Sequence, residues 1–192
     1  FFALIVTGLM VLSFSVSTLA KPQGQLNLLY WQAPSTMNPN LSGGTKELEA
    51  SSIVVEPLAR YDENGELVPW LAESIPTVEN GGVSKDLTSI TWKIKKGIKW
   101  SDGTELTADD AVFTYKYCSD PQTGCTQLNY YNDIQSVKAV NRYTVRIHFT
   151  LAKPFPYAAF VGYNAPLLQK KQFKDCVGAK AQGCTKQNFY PI

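Results

Sequence analysis

Apolar and polar positions alternate with a period of two through Ile90, Trp92 and Ile94, set against Thr91, Lys93 and Lys95. That period belongs to a half-buried β-strand. Lys96-Gly97 breaks it, Ile98 and Trp100 add one short extended piece, and Ser101-Asp102-Gly103-Thr104 reads as a tight turn. Thr107 stands three residues before Asp110 and the apolar run Ala111-Val112-Phe113. This is the spacing of a capping box, with Asp109 and Asp110 at the positive end of the helix. The stretch therefore predicts strand, turn and capped helix. Turn and cap roles account for Asp102, Asp109 and Asp110 without a carboxylate reaction centre.

The same period recurs in Tyr143, Val145, Ile147 and Phe149, predicting a hairpin with 134–140 that turns at Asn141-Arg142. His148 falls on the polar face of that hairpin, beside Arg146. Leu26, Leu28 and Tyr30 predict a first strand, followed by a loop over 31–40 with two prolines. Leu48, Ser52 and Val55 share one face of an expected helix over 45–56, capped by Thr45 and ended by Pro57. Asp62-Glu63-Asn64-Gly65 is a hairpin turn. Residues 118–131 read as a loop carrying the aromatic pair Tyr130-Tyr131, and 153–157 as a connection stiffened by Pro154 and Pro156. Lys170, Lys171 and Lys174 read as a solvated helix face.

Three of these pieces carry a family resemblance. LVPWLAES at 67–74, ITWKIKKGIKWSDGT at 90–104 and LTADDAVF at 106–113 look like the N-terminal signature of the family 5 solute-binding proteins. These are the oligopeptide, dipeptide and nickel receptors of ABC importers. The likeness runs from about residue 26 to residue 168. It implies an α/β, multi-lobed fold of the type II periplasmic-binding-protein kind. Family members run well beyond this length, so the chain is expected to be an N-terminal fragment. Residues 21–44 would start the large lobe, 45–165 would form the smaller inserted α+β domain, and 166–192 would return to the large lobe.

Composition leaves that picture standing. The chain has 192 residues, 44% hydrophobic and 18% charged, as in ordinary globular proteins. A net charge of +2 is too weak to argue for nucleic acid. Residues 1–20 carry no charge and end in small residues before Lys21-Pro22. They read as a signal peptide lacking its basic start, with a membrane anchor as the rival. Four cysteines, Cys118, Cys125, Cys176 and Cys184, suit an exported chain with disulfides. Short separations favour 118–125 and 176–184, and the other two pairings stay open. With no Cys-x-x-Cys and a single histidine, a metal site finds no support.

Ser42-Gly43-Gly44-Thr45 is either a plain turn or a place where backbone amides approach a ligand. The resemblance favours the second reading, because the family's peptide receptors set a ligand-contacting backbone segment near this position. Tyr130 is a second, weaker candidate. The chain is thus expected to be a periplasmic, monomeric solute receptor. Its partners would be a peptide-like solute and an ABC permease with its ATPase, without cofactor or nucleic acid. The rivals are a disulfide-stabilised cell-surface domain and an exported hydrolase. No Gly-x-Ser-x-Gly or His-Glu-x-x-His pattern supports the hydrolase.

Overall fold

The computed structural model describes Gly24 and residues 27–192. The expected signal segment, 1–20, lies outside the described residues. The chain divides into two compact units, 1–31 and 32–192. In the first, residues 27–30 carry no strand, although alternation at 26–30 predicts one. A strand needs a neighbour for its ladder groups, and none is present among the described residues of this unit.

In the second unit the central motif forms as the pattern predicts. β1 (Ala59–Tyr61) and β2 (Leu67–Pro69) make a small antiparallel hairpin. The Asp62 carboxylate accepts the amides of Asn64 and Glu66, each at 2.9 Å, and closes the turn. β3 (Ser89–Lys93) lies beside β5 (Thr144–Phe149), which lies beside β4 (Ile134–Asn141), all antiparallel. The hairpin turns at Arg142-Tyr143, one residue later than expected, because Asn141 still pairs with Thr144. Ile90, Trp92, Val145, Ile147 and Phe149 are buried on one face of this sheet. His148 sits half-buried on the other, opposite Ser89 and Ser136.

α2 (Ala108–Ser119) crosses that apolar face, following α1 (Thr45–Ser51) in the chain. Its two sides are both covered. Ala108, Ala111 and Cys118 belong to the sheet core. Phe113 and Tyr117 join a second cluster with Leu168, Phe173, Cys176 and Ala181. Tyr117 and Phe173 meet edge to face at 6.2 Å between ring centroids. Fully burying side chains such as Leu168 and Phe173 contributes about 1.5–3 kcal/mol each. The second cluster is closed by two short helices, α3 (Lys170–Phe173) and α4 (Thr185–Phe189). Lys170, Lys171 and Lys174 are exposed, as their spacing predicts.

The capping box at Thr107 and Asp110 forms, and Asp110 does more than cap. Its Oδ2 accepts the Thr107 amide at 2.9 Å, while Oδ1 accepts the Lys170 amide at 2.9 Å. One buried carboxylate thus starts α2 and fixes the start of α3. Burial pushes its pKa up, against the pull of those two amides. Asp102 takes the turn role, accepting the Thr104 amide at 3.0 Å, Gln169 Nε2 at 3.1 Å and Lys171 Nζ at 2.9 Å. Asp109 is exposed and pairs with Lys170 Nζ at 3.2 Å.

α1 is shorter than its apolar pattern suggests. Ser51 and Ser52 turn their hydroxyls onto the carbonyls of Leu48 (3.1 Å) and Glu49 (2.7 Å). This competes with the helical ladder just before the β-branched run 53–55. Its cap is Gly44, not the expected Thr45, which is exposed as the first helical residue. Glu47 on α1 is buried and accepts the amide and the hydroxyl of Ser35, both at 2.8 Å, and Lys46 Nζ. Burial raises its pKa, but Lys46 and the two Ser35 donors outweigh that and hold it at about 2.

Two tests follow from these carboxylates. Asp110→Ala removes a cap and strands the Lys170 amide, so urea unfolding should show a loss of about 2 kcal/mol. Asp109→Ala, on the exposed side, should stay within about 0.5 kcal/mol of wild type. For Glu47 the folded pKa lies below the unfolded value. Its ionisation therefore stabilises the fold above about pH 4.5, and that contribution fades as pH falls from there toward 2. Thermal melts should show wild type above Glu47→Gln at neutral pH, with the gap closing over that window.

Candidate functional site

A concave region of about 650 Å³ opens where the C-terminal end of α1, β1 and the segment 155–164 converge. Its walls are aromatic: Tyr61, Tyr130, Phe155, Tyr157 and Tyr163. Tyr61, Phe155 and Tyr163 are 48%, 61% and 50% exposed. Exposed aromatics gathered around a hollow are the usual material of a binding surface. Glu49, Ser52, Arg60 and Asn164 supply polar groups at its margin.

The walls at 130, 155 and 157 are held from behind. Tyr157 donates its hydroxyl to the Pro76 carbonyl at 2.7 Å and packs edge-on against buried Trp92 at 6.3 Å. Burial raises its pKa, with the nearby charge of Glu79 adding to the effect. Phe155 stands edge to face with Tyr157 at 5.1 Å. Tyr130 sits in the 3₁₀ turn Leu128–Tyr131, and Tyr131, which ends it, is buried against Phe160 at 5.6 Å. Arg60 stacks over the Trp70 ring at 3.8 Å and pairs with Glu56 at 3.3 Å, so its charge is oriented before any ligand arrives. Segment 155–164 joins β1 through a parallel bridge between Ala59 and Val161, with Leu58 donating to the Phe160 carbonyl at 2.8 Å.

Of the residues expected to touch ligand, only Tyr130 lines this hollow. Ser42, Gly43, Gly44 and Thr45 lie at the opposite end of α1, about 6 Å along the helix axis from Glu49. Ser42 is half-buried and its hydroxyl accepts the Gly44 amide at 3.2 Å. Gly43 is exposed with open space around the position of a Cβ. Gly44 is packed so closely on Glu47 that a Cβ there would overlap the carboxylate. Gln127 links the two groups, donating Nε2 to the Ser42 carbonyl at 3.2 Å one residue before the turn that carries Tyr130.

The aromatic walls at 61, 155, 157 and 163 escaped the sequence reading. The run Lys153-Pro154-Phe155-Pro156-Tyr157 shows a stiff connection, and only packing reveals that it presents its rings to one hollow. The cysteines pair as 118–125 and 176–184. Among the described residues no group of three or more His, Cys, Asp or Glu could hold a metal ion, and no helix is long and apolar enough to cross a membrane. The hollow offers shape, aromatic surface and an oriented cation, which suit recognition of a solute by contact.

Residues 66–188 match the family described as bacterial extracellular solute-binding proteins, family 5 Middle. The periplasmic oligopeptide-binding protein OppA of Haemophilus influenzae is 27% identical over 183 residues, covering 83% of this chain and 32% of the relative. The dipeptide-binding protein of Lactococcus lactis is 35% identical over 125 residues, 56% of this chain and 21% of the relative. Among solved structures, Bacillus subtilis AppA in complex with a nonapeptide superposes with a TM-score of 0.66 at 25% identity, over 81% of this chain and 29% of that one. The chain thus spans about a third or less of the relatives it matches, and its α/β architecture is part of the type II periplasmic-binding-protein fold. With most of its length inside the family match, this chain belongs to the family 5 bacterial extracellular solute-binding proteins.

Proposed function

We propose that the protein containing this chain is an extracytoplasmic receptor of an ABC importer, and that it captures a peptide-like solute between lobes. The observation that carries the reading is the aromatic hollow with Tyr130 in its wall, in a chain of this family. Peptides present apolar side chains at regular intervals. Exposed rings held rigidly from behind pack on them at little cost in side-chain freedom. Relatives named for oligopeptide and dipeptide binding support the solute class.

In this reading residues 45–165 form the smaller domain, 166–192 lead back into the large lobe, and the remaining lobes lie in the longer protein. Ser42, Gly43, Gly44 and Thr45 meet the solute with backbone groups, while Tyr130 meets it with its ring. The receptor works as a periplasmic monomer, hands its solute to a membrane permease and its ATPase, and uses no cofactor or covalent chemistry. Closure of the lobes over solute accounts for delivery.

The loop is probed best at Gly43, since any side chain at Gly44 would disturb Glu47. In the full-length protein, Gly43→Val and Tyr130→Ala should each weaken capture of a mixed tri- to nonapeptide pool by about tenfold, near 1.4 kcal/mol. Their unfolding midpoints should stay near wild type, since Gly43 is exposed and Tyr130 is half-buried at a rim. Unchanged capture by Gly43→Val would take the loop out of the site. Unchanged capture by both would end the proposal for this part of the receptor.

A further inference from the structure

The segment 36–42, which leads into the candidate solute loop, is held mainly by hydrogen bonds. Asn38 is fully buried, and its Nδ2 donates to the Tyr117 hydroxyl at 3.1 Å and to Asn188 Oδ1 at 3.0 Å. The Met37 amide donates to the Asn188 carbonyl at 2.8 Å. The Asn40 carbonyl accepts the Thr126 amide at 2.9 Å. Gln127 Nε2 spans the carbonyls of Pro39 (3.3 Å) and Ser42 (3.2 Å).

These partners come from two places only. Tyr117, Thr126 and Gln127 flank the Cys118–Cys125 disulfide, one or two residues from its cysteines. Asn188 donates its amide to the Cys184 carbonyl at 2.9 Å and its Nδ2 to the Ala181 carbonyl at 2.8 Å, so it hangs on the loop closed by Cys176–Cys184. The two loops are themselves joined, since the Gly178 amide donates to Thr123 Oγ1 at 3.0 Å and both residues are buried. Each disulfide closes a short loop and restricts its freedom.

We propose that the two disulfide-closed loops, 118–125 and 176–184, act as one clamp that positions residues 36–44 and so presets the solute loop at 42–45. The clamp itself stands on the contacts above, and its consequence for solute rests on the function proposed for 42–45. A preset loop loses less freedom when it meets solute, so affinity follows the integrity of the clamp. Tyr117, Gln127 and Asn188 are positioning residues in this scheme and touch no solute.

The test uses the full-length protein and two readouts, amide hydrogen exchange and capture of the tri- to nonapeptide pool. It compares wild type, the pair Cys118→Ser with Cys125→Ser, and Gln127→Ala, which leaves both disulfides in place. Exchange at the amides of Met37, Asn40, Leu41 and Gly44 should rise by about tenfold in both variants, with Trp92 and Val145 unchanged, since local opening differs from global unfolding. Peptide capture should weaken in step. Unchanged exchange at 37–44 in both variants overturns the clamp. So does a rise that extends equally to β3 and β5, since the disulfide would then support the whole unit. Faster exchange with undiminished capture upholds the clamp and removes 42–45 from the solute site, which separates the two failures.

Discussion

The Asp110 carboxylate is the contact on which this structure turns. It is buried, which is costly for a charge, and two backbone amides from distant parts of the chain offset that cost. One amide starts α2, and the other belongs to the first residue of α3, sixty residues later in the chain. The helix that covers the sheet and the segment that covers the helix are therefore registered by the same side chain. Thr114 repeats the link one turn on, with its hydroxyl accepting the Leu168 amide at 2.9 Å.

That registration explains how a twelve-residue helix can be apolar on two sides in a protein unit this small. Ala108 and Ala111 let α2 lie close on Trp92, Val145 and Ile147, while Phe113 and Tyr117 reach away from the sheet to Leu168 and Phe173. The polar stitching at Asp110, Thr114 and Gln169 fixes the second layer in place, and the aromatic cluster supplies its hydrophobic stabilisation. Apolar contact alone sets no unique register, whereas directional bonds to buried amides do.

The same division of roles governs the aromatic hollow and the segment 36–42. Rings at 130, 155 and 157 are exposed on one side and braced on the other, Tyr157 by Pro76 and Trp92, Tyr130 by the buried Tyr131 beside it. The segment 36–42 has fewer apolar contacts, and its position comes from buried amides tied to two disulfide-closed loops. Under the proposed function both devices serve one end: solute would meet surfaces whose conformations are already chosen, and the free energy of contact would not be spent on ordering them.

The chain's own pattern determined β3, the turn at 101–104, the capped α2 and the β4–β5 hairpin, because each rests on local periodicity or on a side chain bonding a backbone group within a few residues. It also carried the three motifs that mark the family. Tertiary structure decided the rest. Residues 27–30 alternate like a strand but carry none among the described residues, and α1 ends early where Ser51 and Ser52 bond its carbonyls. Gly44 reads in sequence as part of a plain turn or of a ligand-approaching segment, and packing sets it against the buried Glu47 carboxylate. Tyr61, Phe155, Tyr157 and Tyr163 share one hollow only because Ala59 bridges to Val161 across a hundred residues. No local signal records that bridge, since it depends on a backbone pairing that exists only once the sheet core has formed.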